Sequence, residues 1–455
     1  MIDLHKASKM QTGQIKKNIT QAAVKEPLFK TDLMYTAPAR GHWTIAHTPM
    51  IVPESHMIYL CASACMRGVV LSALEYGGMD RFSMIMLYDH DLYEGKMEEV
   101  MIDGISEAID ALDKRPAQVM AFTSCIHHFL ACDIRYVYQK LNERYKDIDF
   151  VKCYMIPTIK KGKITPEEWM QVSLYDALEK TDSLEERSVN IIGSNFPFDK
   201  ENELYKILHN AGYIIRDLPT MTKYSQYKDM AKSRVNIYTL PVARFSAGKL
   251  NRRLGQQELY MPLTFNFRDI KSQLDKLPDA LGDKNIDTSI ALEYENRAYE
   301  ELKMTKELIG DSIIAIDHEV MPRYLSLARM LIEFGYNVKD IYADIILPEE
   351  EEDLEFIKMH ASDITIHATT NYACRMADRD LAEKSDKIVI AIGQKAAYFT
   401  GTSHFVNILD GGGYWGFYGA YKISQLIKEA YLNEKDVPKI ISIKGFGCSG
   451  EGCRL

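Results

Sequence analysis

The sequence predicts an α/β protein built of three doubly wound, mainly parallel sheets. Three observations carry that prediction. The chain has 455 residues, which at roughly 150 residues per domain exceeds one ordinary core. Short apolar runs alternate with amphipathic helical stretches, the grammar of βαβ units. That alternation restarts twice along the chain.

The first unit runs through "FSMIMLY" (82–88), the helix-like "EGKMEEVMIDGISEAIDAL", "AQVMAFTSC" (117–125), the helix-like "DIRYVYQKLNERY" and the strand-like "DFVKCYMIP". A polar stretch, "EKTDSLEERS" (179–188), reads as a linker before "VNIIGSN" (189–195), the helix "KENELYKILHNAGY" and the strand "IIRDLP". Residues 265–308 read as helices with charged faces. A third start comes at "DSIIAIDHE" (311–319), followed by "RYLSLARMLIEFGY", "VKDIYAD", "DITIHAT" and "DKIVIAIG". The expected domains are 1–185, 186–305 and 306–455. The turns "IIGSN" and "AIGQK" hold one glycine each, so neither matches the dinucleotide-binding fingerprint.

Composition narrows the class. Hydrophobic residues are 46% and charged residues 26% of the chain, as in folded globular proteins. A net charge of −9 argues against a broad nucleic-acid footprint. No stretch of about 18 apolar residues exists to span a membrane, and the N-terminus lacks an apolar signal region, so a cytoplasmic protein is expected. Eight cysteines in such a chain read as thiols or metal ligands, not as a disulfide frame.

Position separates the cysteines. Cys125 ends an apolar strand run, at the edge where open α/β sheets bind ligands. In "YLCASACMRG" (59–68), Cys61 follows an apolar run and Cys65 comes four residues later; if a helix starts here, the two thiols face the same way. Such a pair and a strand-end cysteine can converge on an iron-sulfur cluster, because thiolates are the soft ligands iron prefers. They also fit as small buried hydrophobes. His127 and His128 beside Cys125 could bind metal or move a proton, or form a plain hydrogen-bonded pair. Cys132, Cys153 and Cys374 lack partners at metal-ligand spacing and read as structural. Cys448 and Cys453, in the glycine-rich tail, could close on a metal or remain free thiols. The glycine run of "LDGGGYWGFYGAYKISQLI" (409–427) either aims a helix N-terminus at an anion or makes a tight inter-domain turn.

The order of these elements resembles nitrogenase component 1 and its relatives, including dark-operative protochlorophyllide reductase and the nickel-tetrapyrrole reductive cyclase. "HMIYLC" (56–61) is similar to the family's His-Gly-Pro-x-x-Cys cluster loop, "FTSCIHHFLACDI" (122–134) to its Cys-x-x-x-x-Ile-Gly-Asp-Asp-Ile segment, and "GGGYWGFYGAYKI" to its aromatic-glycine segment. "MAKSRVNIYTLPVARFSAGKLNRRLGQQELYMPLTFNFRDI" resembles its second-domain stretch. The resemblance implies three Rossmann-like domains around a central cleft, an iron-sulfur cluster ([4Fe-4S] or a larger P-cluster-like group) at a subunit interface, and a homodimer or a heterodimer or heterotetramer with a related subunit. It also implies an ATP-dependent iron-sulfur reductase as electron donor.

Carried over residue by residue, Cys61 and Cys125 fall on cluster ligands. The family's first ligand cysteine should fall near Thr36, where there is none, and Cys65 is the expected substitute. The places of the two iron-molybdenum cofactor ligands hold Leu240 and Trp415, so no iron-molybdenum cofactor is expected. The function implied is reduction of a small or tetrapyrrole-type substrate, with His127, His128 and His404 as candidate proton donors. The alternatives are a scaffold that hands on an iron-sulfur or tetrapyrrole precursor, and a cluster-free α/β protein.

Overall fold

The computed structural model describes residues 15–24, 26–30, 34, 35, 37, 46–155 and 164–437. Among them a first strand, β1 (Lys16–Asn18), precedes three groups of strands. The first sheet holds β2 (Ser55–Cys61), β3 (Phe82–Met86), β4 (Gln118–Ser124) and β5 (Asp149–Met155). The second holds β6 (Glu185–Ile192), β7 (Ile214–Asp217), β8 (Ser233–Tyr238) and β9 (Gln257–Tyr260). The third holds β10 (Ile313–Asp317), β11 (Asn337–Tyr342), β12 (Thr365–His367), β13 (Val389–Ile392) and β14 (Phe405–Val406).

The spatial orders are β3-β2-β4-β5, β7-β6-β8-β9 and β1-β12-β11-β10-β13-β14. All pairs are parallel except β1 with β12. The mixed α/β fold with several parallel sheets is the one the alternating pattern predicts. In each sheet the strand order reverses once, between β2 and β4, between β6 and β8, and between β10 and β13. Such reversal points open crevices at the strands' carboxyl ends.

Central strands carry the apolar runs that made the pattern legible. Every residue of β2 and β4 is buried, as expected for parallel strands covered on both faces. Tyr59 stacks on Phe122 at 4.2 Å and on Phe82 at 5.0 Å, tying the first sheet's core together. The long helices form for equally local reasons. In Phe267–Leu281, Ile270, Leu274, Leu277 and Leu281 recur on one face and are buried, the Asn266 side chain accepts from the Arg268 N–H, and Gly282 ends the helix at φ 67°.

Some expectations on local structure are corrected. β1 adds to the third sheet, although its residues were expected to belong to the first domain. The polar 179–188 stretch is not all linker, because β6 begins at Glu185. "HMIYLC" is no loop: residues 55–61 are strand throughout, with His56 Nε2 2.7 Å from Ser83 Oγ. No described helix is long and apolar enough to cross a membrane.

The glycine run forms a tight turn packed against the segment that follows β6. Gly413 has φ 80°, and a Cβ there would stand 1.9 Å from the Pro197 carbonyl oxygen. The helix Gly416–Leu432 does aim its first N–H groups at an anion, and that anion is the chain's own: buried Glu203 accepts from Phe417 N–H at 2.6 Å and Tyr418 N–H at 3.2 Å.

Candidate functional site

Two places gather chemistry, and both lie at strand-order reversals. The first is the crevice between β2 and β4. Leu60 pairs with Thr123 in register, so Cys61, the last residue of β2, stands beside Ser124, and Cys125 opens the next short helix, Cys125–Phe129. Cys65 lies in the first turn of the helix Ser63–Tyr76, its N–H bonded to the Ala62 carbonyl at 3.0 Å. A strand ending at Cys61 and a helix beginning at Ser63 remove the helical relation expected between the two thiols. Cys61 faces the core, its Sγ 3.4 Å from Met66 Sδ, whereas Cys65 is exposed. They remain neighbours: burial first, then the nearby Cys65 thiol, push the Cys61 pKa up to about 12. Cys125 is partly exposed one strand away.

Among the described residues no three of His, Cys, Asp and Glu converge closely enough to hold a single metal ion. The set at this crevice is soft: Cys61 at the end of β2, Cys65 in the first turn of the helix that follows it, and Cys125 at the start of the helix after β4. Thiolates are the soft ligands that iron-sulfur clusters take. Near it Met86 at the end of β3, Tyr88 beyond it, and Phe129 and Leu130 after β4 are exposed.

The histidines separate. His127 is buried, its Nδ1 accepting from the Ser124 N–H at 3.1 Å, so the proton sits on Nε2, which has no hydrogen-bond partner among the described residues. Burial holds its pKa down to about 4, so it is a neutral N–H donor at pH 7. His128 is exposed and packs against Phe129. His404 lies beside β14 with Nδ1 2.8 Å from the Ala430 carbonyl, apart from the cysteines and from the central cavity described next. Cys132, Cys153 and Cys374 have thiols whose pKa values burial raises. Thr36, Cys448 and Cys453 fall outside the described residues.

The second place is a cavity of about 480 Å³ where the three sheets' segments meet. The helix Pro166–Leu174 brings Glu167, Glu168 and Gln171 to it; Gly193 and Leu240 come from the ends of β6 and β8; His318, Glu319 and Asp410 come from the third sheet's side. Its size suits a small-molecule site. Leu240 lines it. Trp415 does not: its indole N–H donates to the Met261 carbonyl at 3.1 Å, inside the core. The described lining holds no thiol.

Behind the cavity wall lies a buried ionic cluster. Lys395 Nζ is 2.6 Å from Glu319 Oε1, and Asp317 accepts from the Ala396 and Glu319 N–H groups. Desolvation raises the Asp317 pKa to about 6. Gly393, at φ 102°, gives that carboxylate room, since a Cβ would stand 2.4 Å from Asp317 Oδ2. His318 was missed by sequence reasoning, although "IAIDHE" places three titratable residues at a strand's carboxyl end, the position where Cys125 drew attention.

A model of the nitrogenase component 1 type oxidoreductase family matches residues 89–420 of the chain. Among solved structures, the chain is similar to "Nitrogenase Cp1 at pH 6.5", at a TM-score of 0.65 and 12% identity over 90% of this chain and 94% of that one. It is also similar to "Nitrogenase Cp1 at pH 5", at a TM-score of 0.58 and 14% identity over 95% and 96%. No curated protein matches in sequence.

Proposed function

The chain belongs to the nitrogenase component 1 type oxidoreductase family, and from that premise we propose that it accepts electrons from an ATP-dependent iron-sulfur reductase and passes them to a substrate in the central cavity. The observation that carries the reading is the placement of Cys61 and Cys125 on adjacent strand ends at a strand-order reversal, with Cys65 beside Cys61. An iron-sulfur cluster bound there supplies storage for single electrons. Cys61, Cys65 and Cys125 are the ligands of this reading. Cys61 gives up a proton to serve, since its thiol is neutral in the metal-free protein. Three thiols leave a cluster under-coordinated, and a second copy or a related subunit across the exposed apolar edge completes it.

Of the three candidate proton donors, His128 sits nearest the surface of the cysteine crevice. His127, neutral and buried, suits orienting by its Nε2–H. His404 stands away from both places, and His318 on the cavity wall is the better placed imidazole for delivering a proton to a substrate. Its Nδ1–H donates to the Tyr342 carbonyl at 3.1 Å, so Nε2, 3.6 Å from Glu319, takes up a proton before it can deliver one. With Leu240 on the wall and Trp415 in the core, no iron-molybdenum cofactor belongs to this reading. The three domains, 1–185, 186–305 and 306–455, stay part of it, with residues 16–18 joined to the third.

Turnover decides between this reading and a scaffold. Reduced protein mixed anaerobically with the cognate reductase and ATP should consume electrons in proportion to a reduced product, whereas a scaffold releases its cargo unreduced.

A further inference from the structure

Along the carboxyl edge of the third sheet runs a line of polar side chains drawn from four strand ends. Asp344 lies beyond β11, Thr369 beyond β12, Lys395 beyond β13, and His318 and Glu319 beyond β10. The Thr369 hydroxyl donates to the Asp344 carboxylate, which also accepts the Thr369 N–H at 3.0 Å. Lys395 Nζ lies 3.4 Å from Thr369 Oγ1 and 2.6 Å from Glu319 Oε1, and that oxygen lies 3.6 Å from His318 Nε2. Thr369, Lys395 and Glu319 are buried and Asp344 is partly exposed, while His318 and Glu319 stand on the wall of the central cavity. The line thus joins solvent at one end to the cavity at the other. Its last gap is too long for a hydrogen bond, and a turn of the Glu319 carboxyl about its soft terminal torsion closes it.

A buried ion pair adds little to stability, because desolvation offsets the attraction. The same low dielectric brings the neutral lysine and glutamic acid pair closer in energy to the charged one, which is what a proton carrier needs. We propose that Asp344, Thr369, Lys395 and Glu319 form a proton relay that reloads His318, with Glu319 swinging between Lys395 and the imidazole. The Lys395 ammonium protonates the Glu319 carboxylate, and Glu319 passes that proton to His318 Nε2. The Lys395 amine is then recharged through the Thr369 hydroxyl by Asp344, which takes its proton from solvent water. One proton moves per cycle and no electrons do. Asp317 faces Glu319 and Lys395, Cys374 faces Asp344 and Lys395, Asp410 bonds the Glu319 carbonyl through its N–H, and the Tyr324 ring stands beside the imidazole; the test therefore compares variants that keep all four. The use of the relay in turnover rests on the reductase reading above, whereas the reloading of His318 stands on the line of side chains alone.

Two measurements test it. In the metal-free full chain with carbon-13-labelled histidine rings, the magnetic-resonance signal that His318→Asn removes belongs to His318. Glu319→Gln should weaken the proton affinity of His318 about tenfold, since the carboxylate that favours the imidazolium is gone; an unchanged titration overturns the relay, with or without turnover. In reductase-driven turnover, Thr369→Val should lower kcat about tenfold at unchanged KM, with a larger solvent isotope effect. Thr369→Ser keeps the hydroxyl and should recover the rate. Thr369 is not among the described residues of the cavity wall, and thermal midpoints of both variants check the fold. Turnover at the parent's rate in Thr369→Val, or an equal loss in Thr369→Ser, overturns the relay and leaves the reductase reading standing. A parent without turnover whose His318 still responds to Glu319→Gln contradicts the reductase reading and supports the reloading step.

Discussion

At the scale of single residues, exposure makes Cys61 and Cys65 behave differently although they are neighbours. Cys61 is buried against Met66 with its pKa pushed up to about 12, while Cys65 is exposed. In metal-free protein, iodoacetamide should modify Cys65 first and leave Cys61 untouched, because only an accessible thiolate reacts; peptide mass spectrometry reads the order. Cluster loading should then protect Cys65. Buried carboxyls give a second prediction. Burial raises Glu203 to about 7, opposed by its bonds from Phe417 and Tyr418. A folded pKa above the unfolded value means the native state holds the extra proton, so this group's contribution is fully present below the unfolded pKa and is lost as pH rises toward 7. Asp217, raised to about 7, and Glu350, raised to about 8, act with the same sign. His56 and His127, held near 4, act oppositely below their ordinary range. The difference between parent and Glu203→Gln isolates the one group. Urea unfolding from pH 5 to 8 should show the parent losing on the order of 1–3 kcal/mol relative to the variant.

At the scale of elements, the glycine turn before the last long helix is where the second and third sheets' segments lock. Gly413 approaches Pro197, Asn202 Nδ2 donates to the Gly413 carbonyl at 3.0 Å, and Glu203 caps the helix. Gly413→Ala meets both the left-handed φ and the Pro197 oxygen, and should cost about 2 kcal/mol or more, read as a lower unfolding midpoint. The central strands and long helices were legible in the sequence because burial on both faces makes apolar runs, and one-sided burial makes the i, i+3, i+4 stripe. β1 and β14, at three and two residues, are too short to carry a period. The turn's partner could not be read either, since Glu203 lies far from Phe417 in sequence and only the fold brings them together. The cysteine crevice was legible from strand ends. The cavity was not, because its carboxylates come from three separate stretches of chain.

At the scale of the whole molecule, the proposed reading assigns electron storage to the cysteine crevice and substrate binding to the central cavity, each at a reversal of strand order. The exposed Met86, Tyr88, Phe129 and Leu130 beside the first make a face whose burial favours association, so iron-loaded protein should sediment as a dimer or larger, and a monomer that keeps its full iron content would contradict the interface. The central claim is that Cys61, Cys65 and Cys125 together hold the cluster. It is tested most directly by iron and sulfide content, with paramagnetic-resonance spectra, of anaerobically purified parent beside the Cys61→Ala, Cys65→Ala, Cys125→Ala and Cys153→Ala variants. The account predicts cluster iron in the parent and in Cys153→Ala, and lost iron or an altered spectrum in each of the other three. A parent without iron and sulfide, or three variants with the parent's iron and spectrum, would contradict it.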